Sequence, residues 1–128
     1  MNGQELQRRA AERARELPAS TLEFPFGSEY EVYKVAGKIF LFLVDHRGEP
    51  IVTLKALPSD SMALREAHAD ITPGDHMNKR HWISLRPGGS LTADEVSELV
   101  TESYRLVVAA LPRAKQPVEP HAFGRGQR

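Results

Sequence analysis

The segment from Thr72 to Trp82, TPGDHMNKRHW, holds the densest group of side chains able to bind or to transfer protons. It contains two of the five histidines, two cations, an Asn, an Asp and the only Trp of the chain. Such a set could form a catalytic loop, a metal site, a surface that binds an anionic partner, or a polar turn. The spacing of the residues favours some of these four roles over others.

Catalysis and metal binding have weak support in this segment. Asp75 could orient the His76 imidazole, but adjacent residues in a Pro-Gly turn more often cap backbone amides, and no GxSxG motif is present. His76 and His81 lie five residues apart with Lys79 and Arg80 between them, and these cations would repel a metal dication. The glycines follow no phosphate-loop or dinucleotide pattern. We therefore expect no enzyme, no metal and no cofactor.

A basic, hydrogen-bonding surface is the remaining option. Lys34 and Lys38 flank the turn of the first predicted hairpin, and Lys55 ends the third predicted strand. If the sheet brings these lysines near the polar segment, the cations form one patch that can hold phosphates, while amide or imidazole groups contact phosphates or base edges. The candidate set is Lys34, Lys38, Lys55, His76, Asn78, Lys79, Arg80 and His81. The competing interpretation is that these cations only solvate the surface and that Trp82 is buried.

Composition describes one ordinary globular domain. The chain has 128 residues, 41% hydrophobic residues and no cysteine, so disulfides and thiolate chemistry are excluded. No apolar run has the length of a signal peptide or of a membrane span, and we predict a cytoplasmic protein. The net charge is zero, but residues 113–128 carry four cations and one acid, and the first 112 residues carry 13 cations and 16 acids. Any attraction for a polyanion must therefore be local.

The predicted elements alternate between helical and strand periodicity. Asn2 with Glu5, and Thr92 with Glu95, have the spacing of capping boxes and begin the first and last helices, which end at Pro18 and Pro112. Residues 30–35, 39–44 and 51–55 read as three strands with short turns, a short helix follows Pro58, residues 71–80 read as a loop, and residues 81–86 form another strand. We place the side chains of Phe24, Phe26, Phe40 and Phe42 in the core.

These elements predict an α+β fold in the order helix, three-stranded antiparallel meander, helix, strand, helix, with the terminal helices on one face of the sheet. Residues 1–112 form the predicted domain. Residues 113–128 have few large apolar residues, so we predict a basic, disordered tail that either adds nonspecific attraction for a polyanion or is merely solvated.

The motifs FPFGSEYEVYKVAGKIF, VTLKALP, ITPGDHMNKRHWISL and VSELVTESYRLVVAALPR resemble the MmcQ/YjbR-like family of small bacterial proteins over about residues 4–113. The resemblance implies a two-layer CyaY-like sandwich and a double-wing DNA-binding role. Iron binding, which the CyaY-like fold suggests by analogy, is not expected, because acids and arginines are interspersed on the first helix.

The prediction is thus a non-enzymatic DNA-binding module that acts as a monomer, without metal or membrane partners. The alternative is a domain that binds a small anion or a protein partner through the segment from Pro73 to Trp82.

Overall fold

A six-stranded antiparallel sheet forms one layer of the molecule, and two long helices pack on one of its faces. The computed structural model describes residues 1–74, 78 and 80–124. Along the chain the elements are α1 (Gly3–Glu16), β1 (Ser20–Glu23), β2 (Glu31–Val35), β3 (Lys38–His46), β4 (Glu49–Lys55), α2 (Pro58–Ala67), β5 (Ile71–Pro73), β6 (Trp82–Leu85) and α3 (Ala93–Ala109). The strand order is β1-β2-β3-β4-β6-β5. The predicted α+β class and the antiparallel meander β2-β3-β4 are confirmed.

The sheet has two strands that the sequence did not predict, and both lie at its edges. β1 is exposed along most of its length, so it lacks the alternation of apolar residues that marks a half-buried strand. β5 has three residues and includes Pro73, which is tolerated because β5 is an edge strand. The prediction of a loop is therefore wrong for residues 71–73.

The helix layer follows the predicted pattern. Both capping boxes are confirmed: the Asn2 side chain accepts from the Glu5 amide at 2.8 Å, and the Thr92 hydroxyl accepts from the Glu95 amide at 3.2 Å. α1 packs against α3 and β4, and α3 also packs against β3. Small residues on the buried face of α1 allow this close approach. The buried residues that join both helices to the sheet include Leu6, Ala10, Ala14, Leu41, Leu43, Val52, Leu54, Ile83, Leu85, Val96, Val100, Tyr104 and Val107.

Two of the four phenylalanines predicted in the core lie at the surface. Phe40 is fully buried, but Phe24 is 50% and Phe26 61% exposed. Phe26 stacks on the partly buried Phe42, with ring centroids 6.0 Å apart, and meets the edge of Tyr30 at 6.2 Å. Because side chains alternate along β3, Phe42 lies on the face opposite the helices, next to the connection between β1 and β2. The aromatic residues of that connection therefore cover this second face and not the core.

The described part of the C-terminal segment, residues 113–124, packs against α3. Residues Arg113–Lys115 form a turn of 3-10 helix, and the Phe123 ring lies 5.6 Å from that of Tyr104. Arg105 donates a hydrogen bond to the Phe123 carbonyl at 2.8 Å. Within this part of the predicted tail, the apolar side chains of Val118 and Phe123 pack against the core. Residues 125–128 lie outside the described residues, and the domain boundary at residue 112 stays a prediction.

No helix in residues 1–74, 78 or 80–124 is both long and apolar enough to cross a membrane.

A serine on α3 links β3 to β4. β3 has a β-bulge at Phe40, which is an extra residue between the Tyr33–Leu41 and Lys34–Ile39 pairs with β2. The pairing of β3 with β4 ends at Leu41 and Leu54, one residue before the bulge. Beyond that point the buried Ser103 hydroxyl donates to the Phe40 carbonyl at 2.6 Å and accepts from the Lys55 amide at 2.8 Å. This polar side chain therefore replaces one rung of the β3–β4 ladder.

Replacing Ser103 with Ala leaves both backbone groups without a partner. We expect Ser103→Ala to lower the free energy of unfolding by about 2–3 kcal/mol, since each unpaired buried polar group is costly. Urea unfolding followed by circular dichroism measures the loss. Ser97→Ala, at a partly exposed position on the same helix, is the matched control and should cost less than about 0.5 kcal/mol. Equal losses for the two variants would contradict the bridging role.

A buried tyrosine predicts a loss of stability at alkaline pH. Tyr104 is fully buried, packs edge-on against Phe40 and donates a hydrogen bond to the Pro18 carbonyl at 2.7 Å. Burial raises the pKa of Tyr104 to about 12, and burial also raises the pKa of Tyr33. Because the unfolded chain ionises first, the free energy of unfolding should fall as the pH rises from about 10 to about 12.

Urea unfolding at pH 8 and pH 11 tests this prediction. Tyr104→Phe should be less stable than the unchanged protein at pH 8, because it lacks the hydrogen bond to Pro18, but should lose less stability between the two pH values. An identical loss in both proteins would show that Tyr104 does not contribute to the alkaline transition.

Candidate functional site

A depression of about 380 Å³ lies where the β2–β3 turn, the end of β4, the start of β6 and the C-terminal end of α3 meet. Two of the predicted cations, Lys38 and Lys55, line it together with Trp82. The other side chains in its wall are apolar and come from Ile39, Val107, Ala110 and Leu111. The depression thus combines an apolar wall with two amines.

The β2–β3 turn brings Lys38 to this place. Ala36 and Gly37 both have positive φ, 49° and 78°, which is the backbone of a two-residue hairpin turn whose twist matches the strands. Lys38 then pairs with Val35 as the first residue of β3. The short turn therefore fixes where this lysine leaves the sheet.

Lys55 is held from both sides of its strand. It is the cross-strand neighbour of Trp82, and the adjacent Ala56 amide donates to the His81 carbonyl at 2.9 Å. On the other side, the Lys55 amide donates to Ser103. A backbone fixed in this way sets where the Lys55 side chain leaves the end of β4.

The turn that precedes β6 is built around Asn78. Its carbonyl accepts from the His81 and Trp82 amides, both at 3.0 Å, and its side-chain oxygen accepts from the Arg80 amide at 2.9 Å. The side-chain oxygen of Asn78 is therefore used by the turn, and its amide nitrogen is the group left to donate to a ligand. Asn78 and Arg80 are exposed, and His81 is half-buried.

A glycine allows β5 to approach this turn closely. The Gly74 amide donates to the Trp82 carbonyl at 3.0 Å, and a Cβ on Gly74 would lie 3.0 Å from the Trp82 Cβ. The Pro-Gly pair that the sequence marked as a turn thus also packs the end of β5 against Trp82.

The predicted cations divide into different environments. Lys34 forms an ion pair with Glu23 at 3.0 Å, and only 20% of its side chain is exposed. Among the residues that the structure describes, no acid forms an ion pair with Lys38, Lys55 or Arg80. The predicted residues His76 and Lys79, and Asp75 beside them, lie outside the described residues. The structure therefore brings Lys38 and Lys55 together and leaves Lys34 partly neutralised.

An acidic groove of about 450 Å³ lies on the other side of Lys55, between α2 and α3. Its charged lining comprises the carboxylates of Asp60, Glu95, Glu98 and Glu102, together with Lys55, His68 and Arg105. The backbone amide of Thr92 holds the pKa of Glu95 below its usual value. No group of three or more potential ligands within the described part of the chain could hold a metal ion. The cationic region is thus bounded by acids on the side of α2.

Sequence reasoning missed the part that α3 plays in the depression. In the sequence, Val107 and Leu111 are the last apolar residues that recur at helical spacing before Pro112. They are almost fully buried, yet they also form the wall beside Trp82. Periodicity indicated their burial, but it carries no information about which loops end beside them.

The sequence is similar to those of known proteins. A sequence model of the YjbR family matches residues 15–106. The chain is 40% identical over 116 residues to the uncharacterized protein YbdF of Escherichia coli O157:H7, covering 91% of this chain and 95% of that protein. It is 35% identical over 83 residues to the uncharacterized protein YjbR of Escherichia coli K12, covering 65% of this chain and 70% of that protein.

Solved structures are also similar. The crystal structure of the Deinococcus radiodurans protein DR2400 matches with a TM-score of 0.78 and 28% identity over 91% of both chains. The crystal structure of a Pseudomonas syringae protein matches with a TM-score of 0.67 and 26% identity over 83% of this chain and 98% of that one. The sequence match over most of the chain and its agreement with the fold lead to one conclusion: the protein belongs to the YjbR family.

Proposed function

We propose that this protein is a non-enzymatic nucleic-acid-binding module that acts as a monomer in the cytoplasm and binds DNA. The phosphates contact a cationic edge, which we define as Lys38, Lys55 and Arg80. Asn78 and His81 supply hydrogen-bond donors beside it. The observation that carries the proposal is that Lys38 and Lys55, far apart in sequence, line one depression with no described acid paired to either.

The attraction of this edge for phosphates is local. The whole protein has no net charge, so its attraction for a polyanion comes from nearby unpaired cations and falls off within about a Debye length. Arg80 lies two residues before Trp82, which pairs with Lys55. Arg80 therefore lies in the sequence just before the Trp82 wall of the depression.

The acidic groove sets the path of a bound strand. Asp60 and Glu98 repel phosphates on the α2 side of Lys55, whereas the charge of Glu102 is offset by Arg105. A bound backbone would instead run from the β2–β3 turn, past Lys55, towards Arg80. Lys34 contributes less, because Glu23 already offsets its charge. His76 and Lys79 remain predicted members of the interface.

The C-terminal end of α3 adds further cations. Arg113 and Lys115 are exposed and follow Leu111, a wall residue of the depression, within four residues. They can add nonspecific attraction, as the composition of the predicted tail suggests. This role uses charge and hydrogen bonds alone, and we assign no reaction to the site.

A small organic anion is the second candidate ligand. The apolar wall next to two amines favours it, because such a depression can bury the body of a small ligand and pair its charge. This ligand would occupy the depression but would not need Arg80 or the turn around it.

Salt dependence tests the DNA-binding proposal. If the three cations of the edge meet phosphates of duplex DNA, the logarithm of the association constant should fall with the logarithm of the salt concentration with a slope of about −3. Lys38→Ala, Lys55→Ala or Arg80→Ala should each weaken binding several-fold at about 50 mM salt and reduce the slope by about 0.9. Fluorescence anisotropy with a labelled duplex measures both quantities.

Arg8→Ala is the matched control, because it removes the same charge from an exposed position on α1, away from the edge. It should leave affinity and slope unchanged, and all four variants should keep their melting temperatures within about 2 °C. Absence of duplex binding at about 50 mM salt would overturn the proposal, as would an Arg8→Ala defect equal to that of the edge variants. A loss confined to Lys38→Ala and Lys55→Ala, with none for Arg80→Ala, would limit the phosphate contacts to the depression and remove Arg80 from the interface.

A further inference from the structure

The depression beside Trp82 has an apolar wall that phosphates cannot use. Ile39, Trp82, Val107 and Leu111 form most of this wall, and the amines of Lys38 and Lys55 are the only cationic groups among its described lining residues. Its volume of about 380 Å³ lies within the range of small-ligand sites, about 300–1,000 Å³. A ligand that fills it needs a flat or compact apolar part with negative charge close by.

We propose that the depression receives one unstacked base of a single-stranded nucleic acid, which lies against Trp82 while the adjoining phosphates contact Lys38 and Lys55. This inference rests on the proposed function and specifies its substrate class. Every base has an apolar face that can stack on an aromatic side chain, and every base is joined to phosphates on both sides. The combination of an aromatic wall and two cations matches that repeating unit.

Duplex DNA does not match the depression as well. In a duplex the bases are paired and stacked, so that only phosphates, sugars and groove edges reach the protein surface. Extrusion of a base from the duplex costs a few kcal/mol, whereas a single strand presents its bases at little cost. Duplex DNA can therefore contact the cationic edge but leaves the apolar wall uncovered, and the protein should prefer single strands.

One substitution can fill the depression without removing a cation. Ala110 is exposed, caps α3 and lines the depression, so Ala110→Leu adds apolar volume there. Ala109 is also exposed but does not line it, so Ala109→Leu is the matched control. Trp82, the only Trp in the chain, reports directly on occupancy through its fluorescence.

The experiment titrates each protein with a thymidine oligonucleotide of about 12 nucleotides, long enough for a typical single-strand site, and with a duplex of the same length. We expect the unchanged protein to bind the single strand more tightly and to show a change in Trp82 fluorescence only with that strand. Ala110→Leu should weaken single-strand binding by about tenfold or more and alter duplex binding by less than about twofold. Ala109→Leu should behave as the unchanged protein does.

The outcomes separate the two proposals. Single-strand binding that is unaffected by Ala110→Leu, or that leaves Trp82 fluorescence unchanged, overturns base insertion, while salt-dependent duplex binding would still support the cationic edge. If benzoate at the same concentration changes Trp82 fluorescence as much as the oligonucleotide does, base insertion is also overturned, because the depression would then bind any small aromatic anion. Absence of binding to both nucleic acids at about 50 mM salt overturns both proposals.

Discussion

The hydrogen bonds of the Ser103 hydroxyl are the constraint on which the rest of the structure depends. A β-bulge at Phe40 ends the regular pairing of β3 with β4, and two backbone groups on neighbouring strands would be left without partners. Ser103 satisfies both from the buried face of α3. The same contacts fix the height of α3 on the sheet and the end of β4. The β-bulge, the position of α3 and the position of Lys55 therefore depend on one another.

That arrangement separates charge on an otherwise neutral molecule. Lys55 ends its strand between two depressions, one lined by carboxylates from α2 and α3 and the other by Trp82, Lys38 and apolar residues. A protein with no net charge can bind a polyanion only if its acids are kept away from the contact surface. Here the sheet itself provides the separation, because the cations leave from the ends of strands and the acids from the helices beside them.

Much of the fold was predictable because interactions between residues close in sequence determine the helix ends and the turns. The two capping boxes depend on residues three apart, and the strands of the meander are joined by short turns. β1 and β5 were not predictable in the same way, because an edge strand is held mainly by hydrogen bonds to its neighbouring strand and can form without an apolar pattern. Phe24 and Phe26 were misplaced because hydrophobicity alone does not tell whether a side chain enters the core, and both lie exposed at or beside the connection between β1 and β2.

The candidate site was predictable only in its polar half. Lysines that flank turns and the donors of the segment after Gly74 can be read from residue types, whereas the wall formed by Val107 and Leu111 depends on where α3 ends above the sheet. Asn78 shows that a polar side chain read from the sequence can also have a structural role. Its side chain was predicted to contact a ligand, but its oxygen holds the turn that carries Arg80.

The packing of Tyr104 has a consequence for the order of folding. Its hydroxyl reaches the carbonyl of Pro18, 86 residues away in sequence, and its ring contacts Phe123. The contact with Pro18 forms only after closure of a long loop, so it is expected late on the folding pathway. Residues 117–124 are fixed by few hydrogen bonds, chiefly the one from Arg105 to Phe123. This segment should dock last and detach first, and its amide protons should exchange with solvent through a local opening while those of the central strands exchange only on global unfolding.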